Sequence, residues 1–342
     1  MTADPAGPLS EVSTLTGVSD ESEVACPSCG SATFVDDVFC EACGLRLRAL
    51  PSGAPDAPAG DERLIRFELV RDGAAAVSDR GRRRSRNEDA VDVWVDARRP
   101  GTAVAVVCDG VGSTTDAHLA ARAASSAALG VLEAALSGGR TDEDHLAAAC
   151  GEACRTARAA VAEVPFDHHD VHAVPPSTTL VAAVVVPGRA LVASVGDSRA
   201  YWLPDGGEPR VLTVDDSLAQ EQIAEGVDPE TAHADPDAHA ITRWIGADAE
   251  SVEPRLTWLT VPGPGQLVVC TDGLWNYFDE PGALAGLAAT APDRSPLAVA
   301  RALVGGALAR GGGDNITVAV VGARSATEES DPQGGATEEG PR

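Results

Sequence analysis

The hydrophobic positions of the chain fall into short runs separated by turn residues. Val91–Val95, Thr102–Cys108, Thr178–Val186, Ala190–Val195, Gln266–Cys270 and Ile316–Val321 are rich in Val, Ile and Thr and have the length of strands. Ala117–Leu136, His145–Ala162 and Pro296–Ala309 are rich in Ala and Leu, with apolar positions at helical spacing. Several strands follow one another without a helix between them, as from Thr178 to Tyr201. That order predicts antiparallel sheets with helices packed on their faces, an α+β arrangement, rather than a βαβ repeat. The pattern occupies residues 67–323, read here as one folded domain. Its flanks differ in kind. Residues 1–22 are polar and acidic without a period and are expected to be disordered. Residues 23–48 carry two cysteine pairs. Residues 49–66 are rich in Pro, Ala and Gly and read as a linker, and 324–342 form an acidic tail expected not to fold. No internal repeat is visible.

Composition narrows the function classes. Aromatic residues make up 4% of the 342, so the core must be built from Ala, Val and Leu. The formal net charge of −26 argues against a nucleic-acid partner, whose phosphates are bound through Lys and Arg. It also argues against attraction to an anionic membrane surface. No apolar run approaches the roughly 20 residues of a membrane helix. The opening MTADPAGPLSEV lacks the basic and apolar regions of a signal peptide. A reducing, cytoplasmic setting is therefore expected. Cys108, Cys150, Cys154 and Cys270 lie in apolar segments and read as small buried hydrophobes.

The other four cysteines read CPSC, ten residues, CEAC: Cys26, Cys29, Cys40 and Cys43, with Gly30 and Gly44 after the pairs. Two such knuckles supply four thiolates for one tetrahedral Zn²⁺, and four protein ligands leave no open position, so the expected zinc is structural. Two disulfides or a redox pair are the alternative, disfavoured in a reducing compartment. The acidic neighbours Glu23, Asp36, Asp37 and Glu41 point to a protein contact rather than nucleic acid.

A second constellation is made of carboxylates at strand ends or in glycine turns: Asp109 in AVAVVCDGVG, Asp197 in ASVGDSRAY, Asp272 in QLVVCTDGLW, Asp314 in DNITVAVV, and the pair Glu88-Asp89 in RSRNEDA. One strand-end Asp is commonplace as a turn residue. Several in one domain suggest a shared site, and their mutual repulsion is relieved by divalent, oxygen-seeking cations, Mg²⁺ or Mn²⁺. Two such metals would acidify a bridging water for attack on a phosphate ester. A fixed arginine should then hold the phosphate, with Arg84 the candidate and Arg82, Arg83 and Arg86 its competitors. Spacing alone does not separate them.

These pieces, in this order, resemble the metal-dependent protein phosphatase family of type 2C. The matching segments are SDRGRRRSRNEDA (78–90), VVCDGVGS (106–113), STTL (177–180), SVGDSRAYWL (194–203), LTVDDSLAQ (212–220), ITRWIG (241–246), VVCTDGLWNY (268–277) and GGDNITVAVV (312–321). The resemblance implies a four-layer α-β-β-α sandwich with two central antiparallel sheets, beside the small N-terminal zinc ribbon. It implies hydrolysis of phosphoserine and phosphothreonine in proteins by a metal-bridged water, opposing a serine/threonine kinase in bacterial signalling. Asp109 would bridge two metals, with Gly110 lending its carbonyl and Asp272 and Asp314 completing the second site. Glu88 and Asp89 would act through waters, Asp197 would help bind a third, weaker metal, and Arg84 would hold the phosphate. Residues 224–241 look like the family's mobile flap. The zinc module would dock a kinase or another signalling partner. A catalytically weak phosphate-sensing protein and a small-molecule phosphatase are the alternative readings.

The sequence departs from the pattern in loops. Val111 stands where eukaryotic members carry a general-acid histidine, Ser113 replaces Gly, Ala117-His118 replaces Gly-Glu, and Asp216 stands where His is usual. His168, His169 and His172, with Asp167 and Asp170, lie in a proline-bounded segment that reads as a solvated loop. His233 and His239 are expected to be exposed, and Trp244, Trp258 and Trp275 to pack at the core or its rim. Ser177, Thr178 and Thr179 open a buried strand, so no nucleophile is expected there.

Overall fold

The computed structural model describes residues 23–25, 32–34, 65–112, 114, 116–166 and 174–326. The four zinc-candidate cysteines, the histidine segment 167–173, residues 1–22 and the tail beyond 326 lie outside them. The chain divides into two units, 1–54 and 55–342. In the first, β1 (Glu23–Ala25) and β2 (Ala32–Phe34) pair antiparallel, Glu23 opposite Phe34. The CPSC pair falls between these strands in sequence.

The second unit holds two antiparallel sheets. Its strands are β3 (Arg66–Arg71), β4 (Ala74–Asp79), β5 (Asp89–Val95), β6 (Ala103–Asp109), β7 (Ser177–Thr178), β8 (Leu180–Val186), β9 (Arg189–Val195), β10 (Arg199–Pro204), β11 (Arg210–Val211), β12 (Ile245–Gly246), β13 (Arg255–Thr260), β14 (Gly265–Cys270) and β15 (Ile316–Ala323). The helices are α1 (Ala117–Ser137), α2 (Glu143–Ala162), α3 (Leu218–Ala224), α4 (Pro229–His233), α5 (Asp272–Trp275), α6 (Pro281–Ala288) and α7 (Pro296–Ala309). One sheet runs β11-β10-β14-β15-β4-β3 and the other β13-β9-β8-β6-β5, with β12 and β7 as a two-stranded annex.

Side chains alternate across a strand, so each central strand feeds two cores. In β6, Val104, Val106 and Cys108 pack with α1 and α2, whereas Ala105 and Val107 pack against the opposite sheet. In β15, Val318 and Val320 face α7, and Ala319 and Val321 face the other sheet. This gives four layers, α-β-β-α. Strands buried on both faces explain why they read as continuous apolar runs, not as alternating ones. Ala120, Ala121, Ala124 and Ala128 of α1 are fully buried at helical spacing, so the helix sits close on its sheet. By length and composition α1 is apolar enough to cross a bilayer, contrary to the sequence expectation. Its apolar face is instead packed in the α1–α2–sheet core.

The helices expected at Ala117, His145 and Pro296 form, the second starting two residues earlier because Asp142 caps it by accepting from the His145 N–H at 3.1 Å. The predicted strand Thr178–Val186 breaks into β7 and β8, because Thr179 turns to bond the backbone of Asp109. The edge strands β3 and β13, β4, and the short helices α3 to α6 carry no distinctive period and are additions of the structure. Segment 218–240 packs its own small core of Ala219, Ala232 and Ala238, with Ile223 against it. Its base is clasped by a bridge between Ser217 and Ile241 and by the Leu218 N–H donating to the Ala240 carbonyl at 2.9 Å.

Candidate active site

The carboxylates gather where the two sheets end. Asp109 is the last residue of β6 and Asp89 the first of β5, and the register sets them directly opposite each other. Asp272 opens α5 two residues after β14, and Asp314 precedes β15 by two residues. The pairing of β14 with β15 therefore brings these two together across the other sheet. Asp197 sits in the turn joining β9 to β10. Asp89 is buried, whereas Glu88, Asp109, Asp197, Asp272 and Asp314 are half-buried and open to solvent on one side.

Mutual repulsion records how close they stand. Burial, then Asp89, Asp272, Asp197 and Asp314, holds the Asp109 carboxyl well above the ordinary carboxylate range. Burial and then Asp314 raise Asp272, which is within hydrogen-bonding reach of Asp109. Asp89 is raised by burial despite hydrogen bonds from Thr317 and Thr271. Asp197 is pushed up to about 7 by burial, Asp272 and Asp215. Glu88 is raised by burial, with Arg84 and Arg86 pulling the other way. Among the described residues, no arginine forms an ion pair with Asp89, Asp109, Asp197 or Asp272.

Of the competing arginines, Arg84 reaches this cluster. Its Nη2 donates to Asp314 Oδ2 at 2.5 Å, and Asp272 and Glu88 add to the charge that raises its pKa. Arg86 instead donates to His118, and Arg82 and Arg83 are exposed.

A scaffold of small polar side chains holds the site, and the sequence reading missed most of it. Asn315 Oδ1 accepts from the Glu88 N–H at 2.8 Å, while its Nδ2 donates to the carbonyls of Arg80 (2.7 Å) and Arg86 (2.9 Å). One side chain thus fastens the 80–88 segment to the head of β15. Behind it, Asn87 donates to Ser78 Oγ, Ser78 bonds Thr317 Oγ1, and the Thr317 N–H donates to Thr271 Oγ1. Thr271 in turn donates to Asp89 Oδ2 at 2.9 Å. Thr178 Oγ1 donates to the Asp109 carbonyl at 2.7 Å, and Thr179 Oγ1 accepts from the Asp109 N–H at 3.0 Å. These hydroxyls orient Asp109. The available signal was hydroxyl residues inside otherwise apolar strands, since a buried polar group needs a partner.

Close backbone approach completes the frame. A Cβ on Gly273 would lie 1.8 Å from the Asn315 carbonyl oxygen, and one on Gly110 would lie 2.7 Å from the carbonyls of Glu88 and Ala117. Asp216, in place of the usual histidine, is buried. It accepts from the Gly196 N–H (3.0 Å), Arg243 (3.2 Å) and Arg255 (2.7 Å), tying the turn of Asp197 to the base of segment 218–240. Arg199 pairs with Asp215 at 2.7 Å and lies 3.9 Å over the Trp275 ring. His233 and His239 are exposed, Trp275 is buried, Trp258 is 36% exposed, and all four cysteines of this unit are buried.

The chemistry of this donor set suits divalent cations, although among the described residues no three His, Cys, Asp or Glu side chains stand in metal-holding geometry. Carboxylates supply the hard, acceptor-only oxygens such ions need. Asp89 Oδ1 is buried with no hydrogen-bond partner, and among the described residues its neighbours Asp109, Asp197 and Asp272 form no ion pair with an arginine.

Comparison with known proteins agrees with this geometry. The family profile described as Protein phosphatase 2C matches residues 78–295. The serine/threonine protein phosphatase PstP of Mycobacterium tuberculosis is 33% identical over 251 residues, 72% of this chain and 44% of that protein, so the chain spans under half the length of this relative. The Listeria welshimeri serine/threonine phosphatase stp is 30% identical over 210 residues, covering 59% of this chain and 78% of the relative. The crystal structure of the M. tuberculosis phosphatase PstP/Ppp superposes with a TM-score of 0.55 at 30% identity, covering 73% of this chain and 98% of that one. The catalytic domain of PstP in complex with two manganese ions gives 0.53 at 30%, covering 75% and 100%. With its strand-end carboxylates, its two-sheet sandwich and a profile match across most of its folded region, this chain belongs to the protein phosphatase 2C family.

Proposed function

We propose that the chain hydrolyses phosphoserine and phosphothreonine in proteins, opposing a serine/threonine kinase in bacterial signalling. The observation that carries this reading is that Asp272 and Asp314 stand near enough to Asp109 to raise its pKa, with Arg84 on Asp314 beside them. The names of the relatives support it.

Asp109, Asp272, Asp314 and the Gly110 carbonyl would hold two Mg²⁺ or Mn²⁺ ions, with Glu88 and Asp89 acting nearby and Asp197 toward a third. When bound, such cations supply Lewis-acid charge and acidify water for attack on phosphorus. Arg84, half-exposed and anchored on Asp314, binds the phosphoryl oxygens and places phosphorus over the carboxylate cluster. The Thr178–Thr179 pair fixes the direction of Asp109, and Thr271 that of Asp89. Val111 has no proton to give, so the leaving alkoxide takes its proton from solvent water.

Cys26, Cys29, Cys40 and Cys43 hold one structural Zn²⁺ in this reading, and the module they form docks a signalling partner in the cytoplasm. The support is the paired CxxC spacing, with β1 and β2 bracketing the first pair. Elemental analysis of the purified full chain should give one zinc, lost when Cys26 and Cys29 are changed to Ser.

Phosphate release from a phosphothreonine peptide tests the enzymatic reading. Release should require Mn²⁺ or Mg²⁺, stop with EDTA and collapse in Asp272→Asn. A folded wild-type chain that releases no phosphate with either metal would disprove it.

A further inference from the structure

All 26 cationic side chains of this acidic protein are arginines, and five of them, Arg80, Arg82, Arg83, Arg84 and Arg86, fall within seven residues at the active site. Arg84 is committed to Asp314. Arg82, Arg83 and Arg86 are exposed and, among the described residues, form no ion pair with a carboxylate. Elsewhere exposed Arg66, Arg155, Arg294 and Arg301 pair with acids, whereas Arg71, Arg122, Arg210 and Arg310, scattered singly along the chain, do not among the described residues. In a chain of charge −26, three uncompensated guanidinium groups beside the site mark a local positive surface.

The segment is held in place. Asn315 bonds the carbonyls of Arg80 and Arg86, the Arg82 N–H donates to the Gly312 carbonyl at 2.8 Å, and a Cβ on Gly81 would collide with the Asp314 carbonyl at 2.0 Å. Arg86 is also held at its tip, where Nη1 donates to His118 Nδ1 at 3.1 Å, in the first turn of α1. Burial and the neighbouring Arg86 lower the pKa of that ring, which keeps it neutral and able to accept. A neutral acceptor orients the guanidinium without cancelling its charge. Arg86 stands two residues before Glu88 in sequence, on a segment whose Glu88 N–H donates to Asn315 Oδ1 at 2.8 Å.

We infer that Arg83 and Arg86, the latter positioned by His118, bind acidic side chains flanking the phosphorylated residue, so that the preferred substrates are acidic phosphopeptides. This rests on the phosphatase reading above and names its substrate class. Guanidinium forks match carboxylates in geometry as well as charge.

The test compares kcat/KM, with Mn²⁺ and the full chain, for two phosphothreonine peptides differing only in Glu or Ala at the positions either side of the phosphoresidue. Two exposed ion pairs predict a preference of about ten-fold for the Glu peptide, shrinking in 0.5 M salt. In the Arg83→Gln/Arg86→Gln double variant the ratio should fall to about one, and in His118→Leu to an intermediate value. A wild-type ratio near one, or a ratio unmoved in the double variant, overturns the inference. p-Nitrophenyl phosphate, which has no flanks, separates the two failures: hydrolysis of it with a ratio near one leaves the phosphatase standing and removes the loop's role. If the wild type hydrolyses none of the three, the phosphatase reading fails. Fluorescence anisotropy with the same peptides then decides the loop, tighter binding of the Glu peptide supporting it and equal affinity overturning it.

Discussion

Stripping divalent cations should make the protein lose stability as pH rises through neutrality, opposite to the usual behaviour of paired surface carboxylates. Asp197 shows the size of the effect. Its ordinary value of 3.8 is raised to about 7 by burial, Asp272 and Asp215. A carboxyl with a raised folded pKa holds its proton more tightly in the native state. Below 3.8 it is protonated in both states and has no effect. Above 3.8 the unfolded chain ionises freely and the native state cannot follow until pH reaches about 7, where the penalty levels off. The slope is about 1.4 kcal/mol per pH unit, so the 1.5 units from pH 5.5 to 7 cost about 2 kcal/mol from this group alone. For a folded region of about 250 residues that lowers Tm by about 4–8 °C. Asp89, Asp109 and Asp272 are raised for the same reason and steepen the fall. His118, lowered by burial, opposes it weakly below its ordinary 6.5, and His118→Gln removes that contribution. Urea or thermal unfolding of EDTA-treated protein at pH 5.5, 6.5 and 7.5 measures the slope. Asp197→Asn should flatten it, and saturating Mn²⁺ should raise stability most at pH 7.5, where fewer of the carboxyls carry protons. A metal-free protein whose stability holds constant or rises over this range would refute the convergence of these carboxyls.

Four substitutions probe the frame around them. Arg84→Ala should lower kcat/KM toward a phosphopeptide by about 10²-fold or more while Tm moves little, and Arg82→Ala should leave kcat/KM within about two-fold at high salt; steady-state kinetics beside a melting curve checks both. Asn315→Ala removes the hydrogen bonds to Glu88, Arg80 and Arg86 and should cost about 2–4 kcal/mol in urea unfolding, with activity falling alongside. Gly273→Ala places a Cβ 1.8 Å from the Asn315 carbonyl, so the backbone must shift; a loss of over about 3 kcal/mol is expected by the same assay, and a variant as stable as the parent would show that the approach is looser than described.

Much of this architecture was legible in the chain. The interior strands and the three long helices stood out because burial on one or two faces imposes a continuous or periodic apolar pattern, as in β6 and α1. The edge strands β3 and β13 did not, since all of their residues but Leu259 are half-buried or exposed and mix charge with apolar groups. Asp109, Asp272 and Asp314 announced themselves by standing at the ends of apolar runs beside Gly or Asn. What pattern could not convey was which partners meet across the sheets. Asp89 opposite Asp109 is a matter of register, and Thr271 beside Asp89, 182 residues apart, is a matter of topology. Arg84 could not be separated from Arg82, Arg83 and Arg86 until Asp314 was placed beside it. Asp216 looked like a departure in a loop, and its three donors come from residues 20, 27 and 39 positions away.

These long-range contacts explain how a fold can hold carboxylates that repel one another. The apolar sheets fix the strand ends, so the positions of Asp109, Asp272 and Asp314 are set by burial far from the charges. The hydroxyls and amides of Thr178, Thr179, Thr271 and Asn315 then set orientation without adding charge of their own, which leaves the carboxylates' negative charge uncancelled for a cation. Where the structure does neutralise an acid near the site, it does so one shell away: Asp215 on Arg199, and Asp216 on Arg243 and Arg255. Those pairs anchor the turn of Asp197 and the clasp of segment 218–240, elements that must stay put whether or not the site is loaded. The division is physical rather than decorative, because an arginine paired directly with Asp109 or Asp272 would satisfy the carboxylate and compete with the metal for it. Arg84 is the permitted exception. Its partner Asp314 lies at the solvent-open rim, 29% exposed, where a guanidinium can exchange a carboxylate for a phosphoryl oxygen at little desolvation cost.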